Sequence, residues 1–280
     1  MNLFSTQMGG MSGMAKTAKD GETGAGKPQR GIQSVEVGGR VLHALAKARV
    51  PLALSDLAAG ADLAPGQAHA YLVSLTRLGL IKRDELSGRY EPGPLSLRLG
   101  LMHLANQPAF RAAVPRVSAL AEAIGFSVAI CTRGPQGPTI VRYEHAGFPL
   151  HVNLHVGTVM SLPATSTGRL FCAFLAPDAL QTMWTNQSGG AGDIVAPADR
   201  AAFDATLAAI RERGIERGID APSPGISSLA APVFDAEGRL CLALTVIGPS
   251  GAIDVDWDGS VARALADAAS DIGADIASST

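Results

Sequence analysis

The 280-residue chain has only three cysteines, Cys131, Cys172 and Cys241, and no CxxC pair. A disulfide framework and a four-cysteine zinc site are therefore excluded. Aromatic residues make up 5% and charged residues 17% of the chain. The densest apolar runs, such as 240–247, fall far short of the roughly 20 residues that span a bilayer. A P-loop, a GxSxG elbow and a GxGxxG after a strand are all missing, so the commonest nucleotide-binding and acyl-transfer signatures are absent. Hydrophobic residues nevertheless make up 47% of the chain, too many for wholesale disorder. The expectation is a globular, cytoplasmic protein with no membrane segment. Residues 1–30, rich in Gly, Ser, Thr and Met, read as a disordered tail without the apolar core of a signal peptide.

The net charge of −2 is unevenly spread. Residues 31–100 carry eight Lys/Arg against six Asp/Glu, whereas residues 101–280 carry eleven against seventeen. An asymmetry of this sign favours the first third for any nucleic-acid contact, although +2 over seventy residues is nearly neutral and charge alone decides nothing.

Residues 31–94 have the order helix, helix, turn, helix, hairpin. Ser34 is placed to cap a first helix with Val37, Val41, Leu45 and Ala48 on one stripe, and Pro51 ends it. Ser55 is placed to cap a short second helix with Leu57 and Ala58 inward. Pro65 suits the first position of a third helix running to about Leu78, with Ala68, Leu72 and Leu75 inward. Leu80–Arg83 reads as a strand, Leu86-Ser87-Gly88 as a turn, and Arg89-Tyr90-Glu91 as the return strand. This is the order of a winged helix-turn-helix, whose second helix fills the major groove. Gln67, His69, Ala70, Ser74 and Arg77 lie opposite the buried stripe. Gln67 and His69 suit base edges, Arg77, Lys82, Arg83 and Arg89 suit phosphates, and Gly66 lets backbone amides approach a phosphate.

Pro92 and Pro94 interrupt the pattern. Leu95 to Leu104 then reads as a linker helix within 95–108. From residue 109 the pattern is α+β, with helices near 110–124, 166–175, 198–213 and 258–278. Strands are expected at 127–132, 139–144, 150–156, 227–234 and 240–247.

The motifs Gly31-Ile32-Gln33-Ser34-Val35-Glu36, Leu54-Ser55-Asp56-Leu57-Ala58, His69-Ala70-Tyr71-Leu72 and Ser87-Gly88-Arg89-Tyr90-Glu91-Pro92-Gly93-Pro94 resemble the DNA-binding domain of the IclR family of bacterial transcription regulators. The resemblance continues through 162–169 and 225–234, covering about 31–275. It implies a GAF-like antiparallel-sheet domain at 109–280 that binds a small organic effector, often a carboxylic or aromatic acid. It implies effector contacts at Ser166, Thr167, Ile226, Ser228 and Thr245. The implied DNA contacts are Ser34, Ser55, Gly66, Gln67, His69, Ala70, Tyr71, Ser74, Arg77, Arg83 and Arg89. One departure stands out: the family usually has Arg after the recognition-helix His, where this chain has Ala70. Alanine bonds neither phosphate nor base edge, but it can touch a thymine methyl.

Other features have a plain structural reading beside the functional one. Pro163–Gly168 puts hydroxyl residues at a helix start, where an anion is favoured; from the residues alone, ordinary N-capping is the favoured reading. Arg169 beside it either pairs with a carboxylate or faces solvent. On a strand, His151 and His155 would sit about 13 Å apart, too far for one metal ion. Asp254, Asp256 and Asp258, interleaved with Val255 and Trp257, read as a capping segment rather than a calcium loop. The cysteines read as buried inert thiols. No metal, cofactor or catalytic residue is expected. The reading is a non-enzymatic, nucleoid-associated regulator that binds operator DNA as a homodimer or homotetramer. The alternative is a small-molecule sensor or enzyme with a vestigial DNA-binding module.

Overall fold

The computed structural model describes residues 31–48, 50–147, 154–188 and 199–278. The proposed tail at 1–30 lies outside them. The fold is α+β. Its first unit contains α1 (Gln33–Ala48), α2 (Leu54–Gly60), α3 (Pro65–Arg77), β1 (Ile81–Arg83) and β2 (Tyr90–Pro92). Val41, Leu45, Leu57, Leu72, Leu75, Ile81 and Tyr90 form its core. The spacing of Ala68, Leu72 and Leu75 predicts this burial, because residues at i, i+4 and i+7 share one helix face. Gly79, at φ 75°, turns the chain from α3 into β1, a conformation that favours glycine. In the wing, the Asp84 carboxylate accepts from the Ser87 amide and hydroxyl. The Ser87 hydroxyl holds the Asp84 carboxyl below its ordinary range.

Two expected caps are corrected. Helix α1 starts at Gln33, so Ser34 lies inside its first turn. Helix α2 is capped by Ala53 without a side-chain bond, and the Ser55 hydroxyl turns instead to Asp56 at 3.4 Å. Both backbones enter the helix two residues earlier than the serines suggest, because burial of the helix faces sets the start more strongly than one capping bond.

Helix α4 (Pro94–Ala105) follows the wing and has no buried residue. Leu97, Leu99, Leu101 and Met102 are all exposed. Then come α5 (Pro108–Ile124), β3 (Ser127–Gly134), β4 (Gly137–Glu144), α6 (Ser166–Phe174), α7 (Pro177–Ser188), α8 (Arg200–Arg213), β5 (Glu216–Gly218), β6 (Ile226–Phe234), β7 (Leu240–Pro249) and α9 (Ser260–Ser278). The strands form one antiparallel sheet in the order β4-β3-β7-β6-β5. Alternation sorts its two faces. Val128, Ile130, Leu229, Val233, Leu244 and Val246 pack with α5 and α9. Ala129, Cys131, Ala230 and Ala243 face the other way, with Leu170 and Phe171 of α6. Small residues on that face let α6 sit close to the sheet.

Helix α7 and strand β5 were not expected from the sequence. The mean hydropathy of α7 is slightly negative, and β5 is three residues long. The expected strand at 150–156 is corrected in part: 150–153 lie outside the described residues, and 154–156 are loop and turn. There the His155 amide donates to Thr158 Oγ1 at 3.1 Å, a local bond in place of a ladder partner.

Candidate functional site

Helix α6 begins against the sheet, and its sequence explains how. Thr165 is the cap, accepting from the Gly168 amide at 2.9 Å and donating to the Ser161 carbonyl at 2.7 Å. Gly168 allows the approach: a Cβ there would run into the carbonyl oxygens of Ser161 and Leu162. We expect Gly168→Ala to cost about 1–3 kcal/mol through this overpacking. The expected reading in thermal unfolding is a lower Tm than wild type; an unchanged Tm would show that the segment yields freely.

Two hydroxyl pairs join α6 to the sheet. Ser166 Oγ lies 2.8 Å from Ser228 Oγ on β6, and Thr167 Oγ1 lies 2.8 Å from Thr245 Oγ1 on β7. All four residues are buried. A cleft of about 680 Å³ opens beside them, within the range of small-molecule sites. Ser166, Ile226, Ser228 and Thr245 line it, together with Thr165 and Met160. Thr167 does not line it and is fully buried behind Thr245. The cap and first residue of α6 form part of the wall, so the positive end of that helix dipole meets the cleft. No Lys, Arg, His, Asp or Glu lines it among the described residues.

Arg169 has a partner inside the protein. Its guanidinium donates to Glu216 Oε1 at 2.7 Å, to the Pro163 carbonyl at 3.2 Å and to the Arg217 carbonyl at 2.8 Å. Arg213 also reaches Glu216, at 3.3 Å. Arg213 and Arg217 both stack on the Trp257 ring, at 3.9 and 4.2 Å. This network ties α6, α8, β5 and the segment before α9 together.

Sequence reasoning missed Gln187. Its side chain accepts from the Leu162 amide at 2.8 Å and donates to the carbonyls of Gln136 and Met160 at 2.8 and 2.9 Å. It fixes the strip that leads into α6. With α7 unexpected, a buried amide at 187 had no signal.

The cysteines do not form a reactive site. Burial pushes the Cys131 and Cys172 thiols up to about 12, and pushes Cys241 up as well. We expect a thiol reagent at neutral pH to leave Cys131 and Cys172 unmodified in the native protein, with the half-buried Cys241 the first to react. Rapid modification of all three would contradict this packing. Among the described residues, no group of three or more His, Cys, Asp or Glu could hold a metal ion. Asp254 accepts from the Asp256 amide at 2.9 Å, a local turn ahead of α9. No helix of the described residues is long and apolar enough to cross a membrane.

On the first unit, Gly66, Gln67, His69, Ala70, Ser74 and Arg77 of α3 are exposed, as are Ser34, Ser55, Arg83 and Arg89. Tyr71 is half-buried and packs against the core, with its ring 3.3 Å from a Cβ built at Gly38. Arg83 donates to the Gly88 carbonyl and Arg89 to the Pro51 carbonyl, both at 3.1 Å. Lys82 pairs with Glu91 at 2.8 Å.

Residues 34–85 match the IclR helix-turn-helix domain, and residues 102–274 match the bacterial transcriptional regulator IclR C-terminal domain. The chain is 31% identical over 246 residues to a glycerol operon regulatory protein of Streptomyces griseus, covering 88% of this chain and 95% of that one. It is 30% identical to HmgR of Pseudomonas aeruginosa, whose crystal structure covers 88% of this chain and 98% of its own, with a TM-score of 0.55. The fold is also that of an IclR homologue from Microbacterium hydrocarbonoxydans crystallised with 4-hydroxybenzoate, at 18% identity, 86% and 98% coverage and a TM-score of 0.64. The chain belongs to the IclR family of bacterial transcriptional regulators, with a DNA-binding domain followed by an effector-binding domain.

Proposed function

We propose that this regulator binds operator DNA as a homodimer or homotetramer and releases or retains it in response to a small carboxylic or aromatic acid, without turning the acid over. The domains run 31–94, 95–108 and 109–280. The observation that carries this reading is the cleft at the start of α6. It joins buried hydroxyl pairs, an apolar wall and a helix N-terminus within one site of small-molecule size. The relative crystallised with 4-hydroxybenzoate supports the aromatic-acid class. Ser166, Ile226, Ser228 and Thr245 contact the effector, and Thr167 holds Thr245 from behind.

Exposed α3 and the wing supply the DNA surface. One recognition helix buries too little for tight specific binding, so two half-sites are needed. The exposed leucines of α4 supply the apolar contact between subunits, and α4 couples the two domains. Effector binding acts only through a difference in affinity for the DNA-competent and DNA-incompetent arrangements.

Selection of genomic fragments at physiological salt, followed by footprinting, tests this. We expect a protected site of about two helical turns with related half-sites, and affinity that falls steeply with salt. Adding 4-hydroxybenzoate and related aromatic acids shifts that affinity. Ser228→Trp fills the cleft, and we expect it to keep DNA binding and lose the shift. Failure to enrich any DNA sinks the regulator reading; enrichment indifferent to every acid sinks the effector class alone.

A further inference from the structure

We propose that the groove-facing stripe of α3 reads thymine methyl groups, with Ala70 and Val73 as the specificity-determining residues of each half-site. The inference rests on the DNA-binding reading above and deepens it.

The buried residues of α3 are Ala68, Leu72 and Leu75. Two residues back along the helix is a rotation of about 200°, which reaches the opposite face. Gly66, Ala70, Val73 and Arg77 repeat the same spacing there, and all four are exposed. This is the midline that enters the groove, with Gln67 and Ser74 on one flank and His69 on the other. Three of its four residues have no side chain able to hydrogen-bond. Gly66 has no neighbour within 4 Å of a built Cβ, so the backbone itself is open to close approach. The nearest hydroxyl, Ser74 Oγ, is turned back to the Ala70 carbonyl at 3.1 Å.

Val73 is the telling residue. It is 36% exposed on a helix whose inward positions are already filled. A β-branched residue there adds little to helix propensity. With Ala70 one turn away, it forms a continuous methyl surface. In the major groove, the apolar landmark is the thymine C5-methyl, which pairs with small apolar side chains. The adjoining Gln67 suits the adenine of the same pairs. Arg77 at the end of the stripe and Arg83 and Arg89 on the wing supply phosphate contacts that hold the register.

The test uses the selected operator duplex and fluorescence anisotropy, replacing thymine by uracil one position at a time. This removes the methyl and leaves base pairing intact. We expect one or two positions per half-site to lose roughly fourfold in affinity, and about fifteenfold when both half-sites are changed together. Val73→Ser and Ala70→Ser should flatten this response while leaving the salt slope unchanged. Ala70→Arg should move the selected sequence towards guanine. Equal binding of every uracil duplex by the wild-type protein overturns the proposal while leaving DNA binding intact. If no DNA is enriched at all, the regulator reading itself has failed.

Discussion

Replacing Glu216 by alanine is expected to lower stability by about 3–5 kcal/mol, because it leaves the Arg169 charge buried without a counter-ion. The Glu216 side chain is 6% exposed and that of Arg169 16%. Arg169 is held in place by two carbonyls as well, so it cannot swing to solvent without giving up those bonds. For a unit of this size the loss corresponds to a fall in Tm of roughly 6–20 °C. The damage falls beside the cleft, since Arg169 lies on α6 and Glu216 on β5. A second variant separates charge from volume. Arg169→Met/Glu216→Leu removes both charges and should recover a large part of the loss. If Glu216→Ala unfolds at the wild-type temperature, the pair is not the clamp described. If the double variant is worse than the single, the carbonyl bonds of Arg169 matter more than its partner charge.

Leu72→Ala is expected to abolish DNA binding without touching a DNA-facing residue. Leu72 is fully buried at the centre of the small first core. The cavity left behind costs about 2–5 kcal/mol. A unit of some 60 residues has little stability in reserve, so the first unit should unfold while the sheet unit remains. Calorimetry should show the transition of the larger unit retained and any earlier transition lost. Leu86→Ala is the control: Leu86 is 99% exposed at the wing tip, and its loss should be worth less than about 0.5 kcal/mol. If Leu72→Ala retains wild-type DNA binding, the first unit draws its stability from elsewhere in the chain.

Much of the architecture was legible in the sequence, for identifiable reasons. The stripes Val41/Leu45 and Ala68/Leu72/Leu75 carry helical periodicity, and Pro65 and Pro94 mark a helix start and a break in the pattern that backbone sterics enforce. Strands β6 and β7 are apolar on both faces because helices cover both faces of the sheet. The illegible parts lacked such a signal. Helix α7 is polar over most of its surface, β5 is too short to show a period, and the start of α2 is set by packing rather than by Ser55.

The candidate site divides along the same line. Hydroxyl residues at 165–167, 228 and 245 and the helix start at 166 are properties of the sequence, because capping and alternation are local. That Ser166 meets Ser228 and Thr167 meets Thr245 is decided only in three dimensions, by the packing of α6 on the sheet, which brings residues 62 and 78 positions apart into contact. Tertiary structure also takes Arg169 out of the cleft and gives it to Glu216, and it places Thr167 behind the wall rather than in it. The sequence by itself determined which faces are apolar and where α3 and α6 begin. Only the folded chain decided which polar groups are consumed by one another and which remain to meet a ligand, because burial forces polar partners to be found across long stretches of chain.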